Sequence, residues 1–418
     1  MTAESTPPVL SPATRLALQP WMAAPETGRV MAALRDARFI GGCVRDALLS
    51  LPVTDIDIAT PQPPDEVTRL LTRAGVRVVP TGIIHGTVTA IVGLAHFEIT
   101  SLRRDVACDG RHAEIAFTDD WQADAARRDL TINALSCTPE GLVFDPFGGL
   151  HDLAARRVRF IGRAEDRIRE DVLRLLRYFR FFARFGADDP DPEALAACRV
   201  LAPLLPGLSG ERVRTELFRF LSGPRPAEVW TLIAAAGIPP HLVPGATCGH
   251  RLAALTVLEH ALALDGPERA MVRLAALLDV TTDGALAVAG RLRLSRAERE
   301  RLLALATPAV AITPGADKAS LRRILATLDD GALFHDLILL AAARLESGPA
   351  SVEPALATLD RWRQTRFPLS GHDALAAGVA PGPEVRRLLS LVRDWWADRN
   401  FEPGHAECIA ELNYRIAI

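Results

Sequence analysis

The chain of 418 residues is too long for a single compact core, so two to four domains are expected. Hydrophobic residues make up 49% of the sequence and charged residues 24%, which is the composition of a water-soluble globular protein. The formal net charge of −3 excludes a uniformly basic surface, but it leaves room for a local basic groove.

The six cysteines are scattered, and no CxxC pair or His/Cys cluster has the spacing of a zinc site. We therefore expect reduced thiols and a cytoplasmic protein. The N-terminus lacks a basic region followed by an apolar run, so it does not resemble a signal peptide. No segment approaches the roughly 20 uninterrupted apolar residues of a membrane span, and no membrane association is predicted.

Periodicity predicts an α+β protein whose mixed N-terminal head is followed by an all-helical neck, body and tail. Short β-rich runs alternate with helical stretches between Phe39 and Asp145, which is typical of a small mixed sheet with helices. After Leu150 the patterns are almost entirely helical and are interrupted by Pro/Gly breaks. The predicted segments are a leader at 1–30 with a short helix around Thr14–Trp21, a head at 31–150, a neck at 151–225, a body at 226–310 and a tail at 311–418.

The first motif is GGCVRD at residues 41–46, between a short apolar run and a helical pattern. Glycines there let backbone amides approach an anion, and the helix N-terminus adds a favourable dipole. Gly42 and Arg45 are therefore candidate anion-binding residues. The glycines by themselves favour an ordinary strand–turn–helix connection.

The second motif is Asp55-Ile56-Asp57-Ile58. On a strand, Asp55 and Asp57 would share one face while the two isoleucines point into the core. Neighbouring carboxylates repel each other unless a cation lies between them, and Mg2+ prefers a few carboxylate oxygens together with substrate phosphates. The pair suits a metal–nucleotide site, although two solvated acids on an edge strand explain an isolated DxD equally simply.

A further strand is predicted at His96–Thr100, with Glu98 on the face opposite its apolar residues. If this strand lies beside the Asp57 strand, Glu98 becomes a third catalytic carboxylate; a solvated glutamate is the alternative. The polar segments Arg103–Asp105 and Cys108–His112 are interpreted as a loop between strands.

RRDLTINAL at residues 127–135 completes a specific set with the two earlier motifs. Together they resemble the active-site signature of the bacterial CCA-adding enzyme and poly(A) polymerase family, within the DNA polymerase beta superfamily. The family carries phenylalanine where this chain has Leu130, a change between apolar residues. The resemblance implies that Arg128 binds the triphosphate, that Asp55 and Asp57 hold Mg2+, and that the loop helps the enzyme to adapt between nucleotides.

An amphipathic helix is predicted over Arg163–Gly186, with Gly186 at its C-terminal cap. Asp171, Arg174, Arg177 and Arg180 recur every third residue on its polar side. The segment EDVLR at residues 170–174 resembles the Glu-Asp-x-x-Arg motif with which the family reads the base, and Arg177 and Arg180 would reach phosphate or sugar. Salt bridges on a solvated helix face are the alternative. The family's Leu-Ser-x-Glu-Arg segment is matched at residues 208–217, to which we assign a structural role.

The resemblance implies template-independent addition of C, C and A to the 3′ end of tRNA from CTP and ATP, with tRNA bound by the helical tail. Poly(A) synthesis from ATP uses the same chemistry and is the first alternative. An inactive RNA-binding relative is the second alternative, and the presence of the whole charged set argues against it. The sequence predicts no oligomeric state.

Overall fold

The computed structural model describes residues 11–83, 86–108, 113–187, 189–264, 266–362 and 366–417. The chain divides into two compact units. The first comprises Met1–Arg225 with Ala235–Leu242, and the second comprises Pro226–Ala234 with Val243–Ile418.

In the described residues, all strands lie in the first unit. They are β1 (Thr14–Arg15), β2 (Arg38–Ile40), β3 (Ile56–Thr60), β4 (Arg77–Gly82), β5 (Thr87–Val92), β6 (Ala95–Ser101), β7 (Arg103–Cys108), β8 (Ala113–Phe117), β9 (Ser136–Cys137) and β10 (Leu142–Phe144). The sheet has the order β1-β10-β9-β2-β3-β6-β5-β4, and β7 forms a separate hairpin with β8. Strands β3 and β6 are parallel.

The helices follow in chain order. Those up to the start of the second unit are α1 (Pro20–Ala23), α2 (Pro25–Ala33), α3 (Gly42–Leu48), α4 (Pro64–Arg73), α5 (Trp121–Ala126), α6 (Gly149–Ala154), α7 (Ala164–Glu170), α8 (Leu173–Phe185), α9 (Pro192–Leu201) and α10 (Gly210–Leu221). The later ones are α11 (Pro226–Ala235), α12 (Pro239–Leu242), α13 (Gly249–Ala261), α14 (Arg269–Leu277), α15 (Thr282–Arg291), α16 (Arg296–Ala306), α17 (Lys318–Leu328), α18 (Gly331–Arg344), α19 (Glu353–Trp362), α20 (Gly371–Ala376), α21 (Pro383–Asp398) and α22 (His405–Ala417).

The alternating pattern of the strands decides which sheet face becomes the core. Ile58, Phe97 and Ile99 are buried in a cluster with apolar residues of α2, α3 and α4. Asp57 and Glu98 alternate with these residues, so they belong to the opposite face. The predicted orientation of the Asp-x-Asp strand is therefore confirmed for Asp57. Asp55 immediately precedes the first residue of β3.

The helical prediction around Thr14 is wrong. Thr14 and Arg15 pair with Val143 and Leu142, because the edge of β10 offers backbone groups that outweigh a weak local preference. Helix α1 begins later, at Pro20, a residue that suits the first helical turn.

The loop prediction for residues 103–112 is wrong for residues 103–108. Arg103–Cys108 forms β7, which pairs with β8 from Arg103 opposite Phe117 onward. The remainder of that predicted loop, residues 109–112, lies outside the described residues.

The single helix predicted over Arg163–Gly186 is also wrong, because α7 and α8 are separate. Asp171 leaves the helical conformation, with φ −151° and ψ 104°. Its side chain accepts a hydrogen bond from the Leu173 backbone N–H at 3.2 Å, a local bond that competes with the helix. Gly186 does end α8, as predicted.

The second unit is helical throughout the described residues. Glu259 of α13 accepts hydrogen bonds from Arg269 and Arg273 of α14, and Arg269 also contacts Asp336 of α18 at 2.7 Å. Trp396 is buried in a separate C-terminal cluster, against which Trp395 packs. No described helix combines the length and apolar character needed to cross a bilayer.

Candidate active site

A polar cleft of about 600 Å³ opens in the first unit beside β3 and β6. Its walls come from the Gly-Gly turn, the RRDLTINAL segment, α8 and the start of α10. It contains every predicted site residue except Asp55: the others are Gly42, Arg45, Asp57, Glu98, Arg128, Asp171, Arg174, Arg177 and Arg180. Segments that are far apart in the sequence therefore converge on one cleft.

The acidic side of the cleft is built by two parallel strands. Their register places Asp57 directly beside Glu98, which was the condition for a third carboxylate. Burial, followed by the nearby charge of Glu98, raises the pKa of Asp57 to about 6, while Arg128 opposes the shift. Asp55 is exposed just outside the strand. The ionised form of Asp57 is thus destabilised at this position, and a bound cation would offset the destabilisation.

The carboxylates beside the cleft are donors of the kind that Mg2+ prefers. Among the described residues, no group of three or more His, Cys, Asp or Glu side chains forms a complete metal site. Mg2+ typically takes one or two carboxylates and completes its shell with water and substrate phosphates. Asp57 and the neighbouring Asp55 can supply those carboxylates, whereas Glu98 does not join them in a three-ligand cluster.

The Gly-Gly turn has the predicted strand–turn–helix geometry. Gly41 has a φ of +66°, and a Cβ there would approach the Arg128 guanidinium to 3.2 Å. Arg45 is buried, where it donates to Asp46 at 2.8 Å and to Asn133 at 2.5 Å. Burial lowers the pKa of Arg45, although the charge of Asp46 opposes this. Arg45 is therefore bound within the protein, and it braces the turn rather than offering a free charge.

The segment after α5 places Arg127 and Arg128 at the cleft and buries the carboxylate of Asp129. Arg128 is 24% exposed and contacts Asp124 at 3.3 Å, so its guanidinium can exchange this weak contact for an anion. Asp129 is buried and accepts hydrogen bonds from Asn133 and from Arg177 Nε, the latter at 2.6 Å. Burial alone would raise the pKa of Asp129, but Arg177 holds it below the ordinary value.

The two residues of the predicted base-reading pair have separate protein partners. Arg212 donates to Asp171 Oδ2 at 2.8 Å. Arg174 donates to Glu170 at 2.6 Å and to the Arg127 carbonyl oxygen at 2.8 Å. Both side chains line the cleft, yet they do not form an ion pair with each other.

The last two predicted arginines are organised by a buried glutamate. Glu216 of α10 lies 2.7 Å from Arg180 Nε, although the two atoms are not aligned for a hydrogen bond. Arg177 Nη1 lies 3.8 Å from the same carboxylate. Burial lowers the pKa of Arg180 to about 10, against the opposing charge of Glu216. This acid keeps two adjacent arginines close together on one face of α8.

Comparisons with known proteins agree with this arrangement. Residues 37–159 match the family described as the Poly A polymerase head domain, and residues 189–248 match a probable RNA and SrmB-binding site of polymerase A. CCA tRNA nucleotidyltransferase 1, mitochondrial, of Danio rerio is 35% identical over 381 residues, covering 90% of this chain and 87% of that protein. The chain belongs to the CCA-adding enzyme and poly(A) polymerase family.

Other members of this family extend the likeness. The CCA-adding enzyme of Streptococcus pyogenes is 41% identical over 191 residues, which is 45% of this chain and 46% of that protein. The crystal structure of the Bacillus stearothermophilus CCA-adding enzyme in complex with CTP superposes with a TM-score of 0.69 at 25% identity, covering 94% of this chain and 98% of that one. The predicted family and fold class are both confirmed.

Four residues that organise the cleft were not predicted as site residues. Asp129 and Asn133 lie inside the RRDLTINAL block, in which Arg128 was the only predicted site residue. Arg212 and Glu216 lie in the segment interpreted as structural. The sequence contained a signal for Asp129 and Asn133, because polar residues in an otherwise apolar segment are expected to be buried and to need hydrogen-bond partners. No spacing rule connects α10 to α8, so the second pair could be found only in three dimensions.

Proposed function

We propose that this protein adds C, C and A to the 3′ end of tRNA, without a nucleic-acid template, using CTP and ATP. The observation that carries the proposal is the convergence of Asp57 and Glu98 with Arg128, Arg174 and Arg177 in one cleft. Relatives that cover most of the chain are named CCA tRNA nucleotidyltransferases, which favours CCA addition over poly(A) synthesis. The charged lining also argues against an inactive RNA-binding relative.

In the proposed reaction the 3′-hydroxyl of the RNA attacks the α-phosphate of the incoming nucleotide. A phosphodiester bond forms, the bond to the β-phosphate breaks, and pyrophosphate leaves with the nucleotide's former β and γ phosphates. Mg2+, when bound, would favour deprotonation of the hydroxyl and neutralise phosphate charge. Asp55 and Asp57 would hold it, and Glu98 adds negative potential beside them.

The arginines supply the complementary part of the site. Arg128 faces the Gly-Gly turn, so a triphosphate there would meet both a guanidinium fork and backbone amides. Arg177 and Arg180 would extend the positive field toward phosphate or sugar. Gly42 would permit close approach of the chain, and Arg45 would keep the turn in place.

Asp171 and Arg174 would read the base. Cytosine and adenine each present an exocyclic amino donor beside a ring-nitrogen acceptor, which a carboxylate and a guanidinium can satisfy together. Uracil and guanine present a carbonyl and an N–H at the same places, so they meet the wrong partners. This pairing would select CTP and ATP without a template strand.

The decisive experiment supplies tRNA that lacks its CCA end with CTP, with ATP, or with both. We expect two additions with CTP alone and three with the mixture. Asp55→Ala and Asp57→Ala should abolish incorporation in a folded protein, while the exposed Asp119→Ala should not. Extension of arbitrary RNA by long runs of A would instead identify a poly(A) polymerase.

We also propose that the protein works in the cytoplasm, as the scattered cysteines suggest. The five cysteines with described side chains are buried and unpaired, which fits a reducing compartment. Because several relatives carry a mitochondrial name, cell fractionation is the appropriate test. Recovery in an organellar fraction would contradict the proposal.

A further inference from the structure

We propose that Arg212 is a positioning residue for nucleotide selection, because it fixes the carboxylate of Asp171 at the wall of the cleft. The inference rests on the proposed base-reading role of Asp171. It concerns α10, a segment for which the sequence alone predicted only a structural role.

Both oxygens of Asp171 are engaged from different directions. Oδ1 accepts from the backbone N–H of Leu173 at 3.2 Å, and Oδ2 accepts from Arg212 Nη2 at 2.8 Å. Two contacts on opposite oxygens determine the plane of a carboxylate, whereas one contact would leave it free to rotate. Because Asp171 lies at the break between α7 and α8, regular helix geometry does not provide this restraint.

The charge that orients Asp171 therefore comes from α10. Arg174 lies three residues away, but its guanidinium is held by Glu170 and by the carbonyl oxygens of Arg127 and Arg167. Arg212 is 41 positions further along the chain and supplies the ion pair instead. The base-reading acid and the base-reading guanidinium are thus positioned by two independent sets of contacts.

The Arg212 contact leaves Asp171 available to a ligand. The side chains of Arg212 and Asp171 are 48% and 34% exposed, and both residues line the cleft. Each carboxylate oxygen has two lone pairs, so Oδ2 can accept from Arg212 and from an exocyclic amino group at the same time. Arg212 would then hold the acceptor in the direction that an amino group needs, and its loss would let the carboxylate turn away.

The test measures kcat and KM for CTP and UTP on tRNA that lacks its CCA end. Arg212→Ala should lower the CTP-to-UTP ratio of kcat/KM by about tenfold, on the order of one charged hydrogen bond. Arg212→Lys should recover most of that ratio, because an ammonium can still reach the carboxylate. Arg199→Ala removes the same charge from an exposed position on α9 outside the cleft lining, and it should leave the ratio unchanged.

A general structural defect would give a different result. It would lower kcat for both nucleotides together and keep their ratio, and it would not be rescued by lysine. Circular-dichroism melting of each variant verifies that the first unit remains folded. A wild-type ratio in folded Arg212→Ala would overturn the inference.

A double-mutant cycle separates this inference from the function on which it rests. If Arg212 acts through Asp171, Arg212→Ala should cause no further loss of selectivity in an Asp171→Ala background. If Asp171→Ala alone keeps the wild-type ratio, the base-reading proposal fails. If Asp171→Ala lowers the CTP-to-UTP ratio and Arg212→Ala keeps the wild-type ratio, the base-reading role of Asp171 is supported and the role of Arg212 is refuted.

Discussion

Individual charges in the cleft have two different environments. Asp129 is buried, but its carboxylate meets Arg177, Asn133 and a backbone N–H. Asp57 is half-buried beside a second carboxylate, Glu98, and its pKa is raised first by burial and then by the charge of Glu98. Asp129 therefore stabilises the fold. The ionised form of Asp57 becomes favourable only when a ligand or a cation binds beside it.

Neutralising Asp57 should therefore stabilise the metal-free protein. Its raised pKa means that folding disfavours the carboxylate form, a cost that is absent below about pH 4 and fully present above about pH 6. In EDTA at pH 8, Asp57→Asn should raise the free energy of unfolding by about 1–3 kcal/mol, after allowance for partial solvation.

Urea denaturation of wild type and variant measures this difference. Asp119→Asn removes an exposed carboxylate from the same unit and should have little effect. A variant that is less stable than wild type at pH 8 would show that burial of the charge and repulsion by Glu98 do not dominate the energetics of Asp57.

Neutralising Asp129 should have the opposite effect. The pKa of Asp129 is lowered in the folded state. Its contribution to the free energy of unfolding is therefore fully present above the pKa of the unfolded chain, and it is lost as the pH falls through the pKa of the folded protein. Asp129→Asn should cost about 3 kcal/mol at pH 7, because it leaves the half-buried Arg177 without its closest carboxylate. The difference in unfolding free energy between wild type and Asp129→Asn should become smaller as the pH is lowered from about 4 toward 3.

Chemical denaturation across this pH range provides the measurement, and Glu66→Gln provides the control. Glu66 pairs with Arg69 at the surface of α4, where solvent screens the charges, so its removal should change stability little at any pH. An Asp129→Asn deficit that is the same at pH 7 and pH 3 would contradict the electrostatic explanation.

At the scale of elements, α8 depends on how it starts and ends. It begins after the break at Asp171, and it ends where the chain turns close over the ring of Phe182. A Cβ on Gly186 would lie 2.5 Å from that ring and 2.7 Å from the Phe182 carbonyl oxygen. The glycine is required by space, since its φ of −70° is accessible to any residue.

Gly186→Ala should consequently destabilise the first unit by about 1–3 kcal/mol, because the ring or the chain must move. A Cβ added to Gly28 in α2 would meet no atom of the surrounding structure within 4 Å. Gly28→Ala should therefore leave the stability of the protein unchanged or raise it by up to about 1 kcal/mol. Thermal melts of the two variants test the difference. Equal effects would mean that the close contact at Gly186 relaxes without cost.

At the scale of the whole molecule, the net charge of −3 has to be reconciled with a polyanionic substrate. We predict that tRNA binds through a local basic surface that belongs mostly to the helical region after Leu150. Lys/Arg contacts to phosphates release counterions, so affinity should fall at least tenfold between about 50 and 200 mM salt. Filter binding of tRNA across this range provides the test, and a flat response would contradict a phosphate-based interface.

Local pattern along the chain was sufficient for several features. The turn at Gly41 and the core-facing Ile58 follow from spacing and polarity alone, because each depends on residues close in sequence. The family motifs identified several of the cleft-lining residues for the same reason, since each motif is a continuous segment.

Tertiary structure decided which charges meet. Arg177 reaches Asp129 across 48 positions and Arg212 reaches Asp171 across 41. With 48 basic and 51 acidic residues in the chain, no pattern singles out such pairs. The β1 strand and the helix break at Asp171 were likewise decided by partners elsewhere in the fold or by a competing side-chain bond. Sequence periodicity reports which face of an element is buried, whereas packing determines what that face contacts.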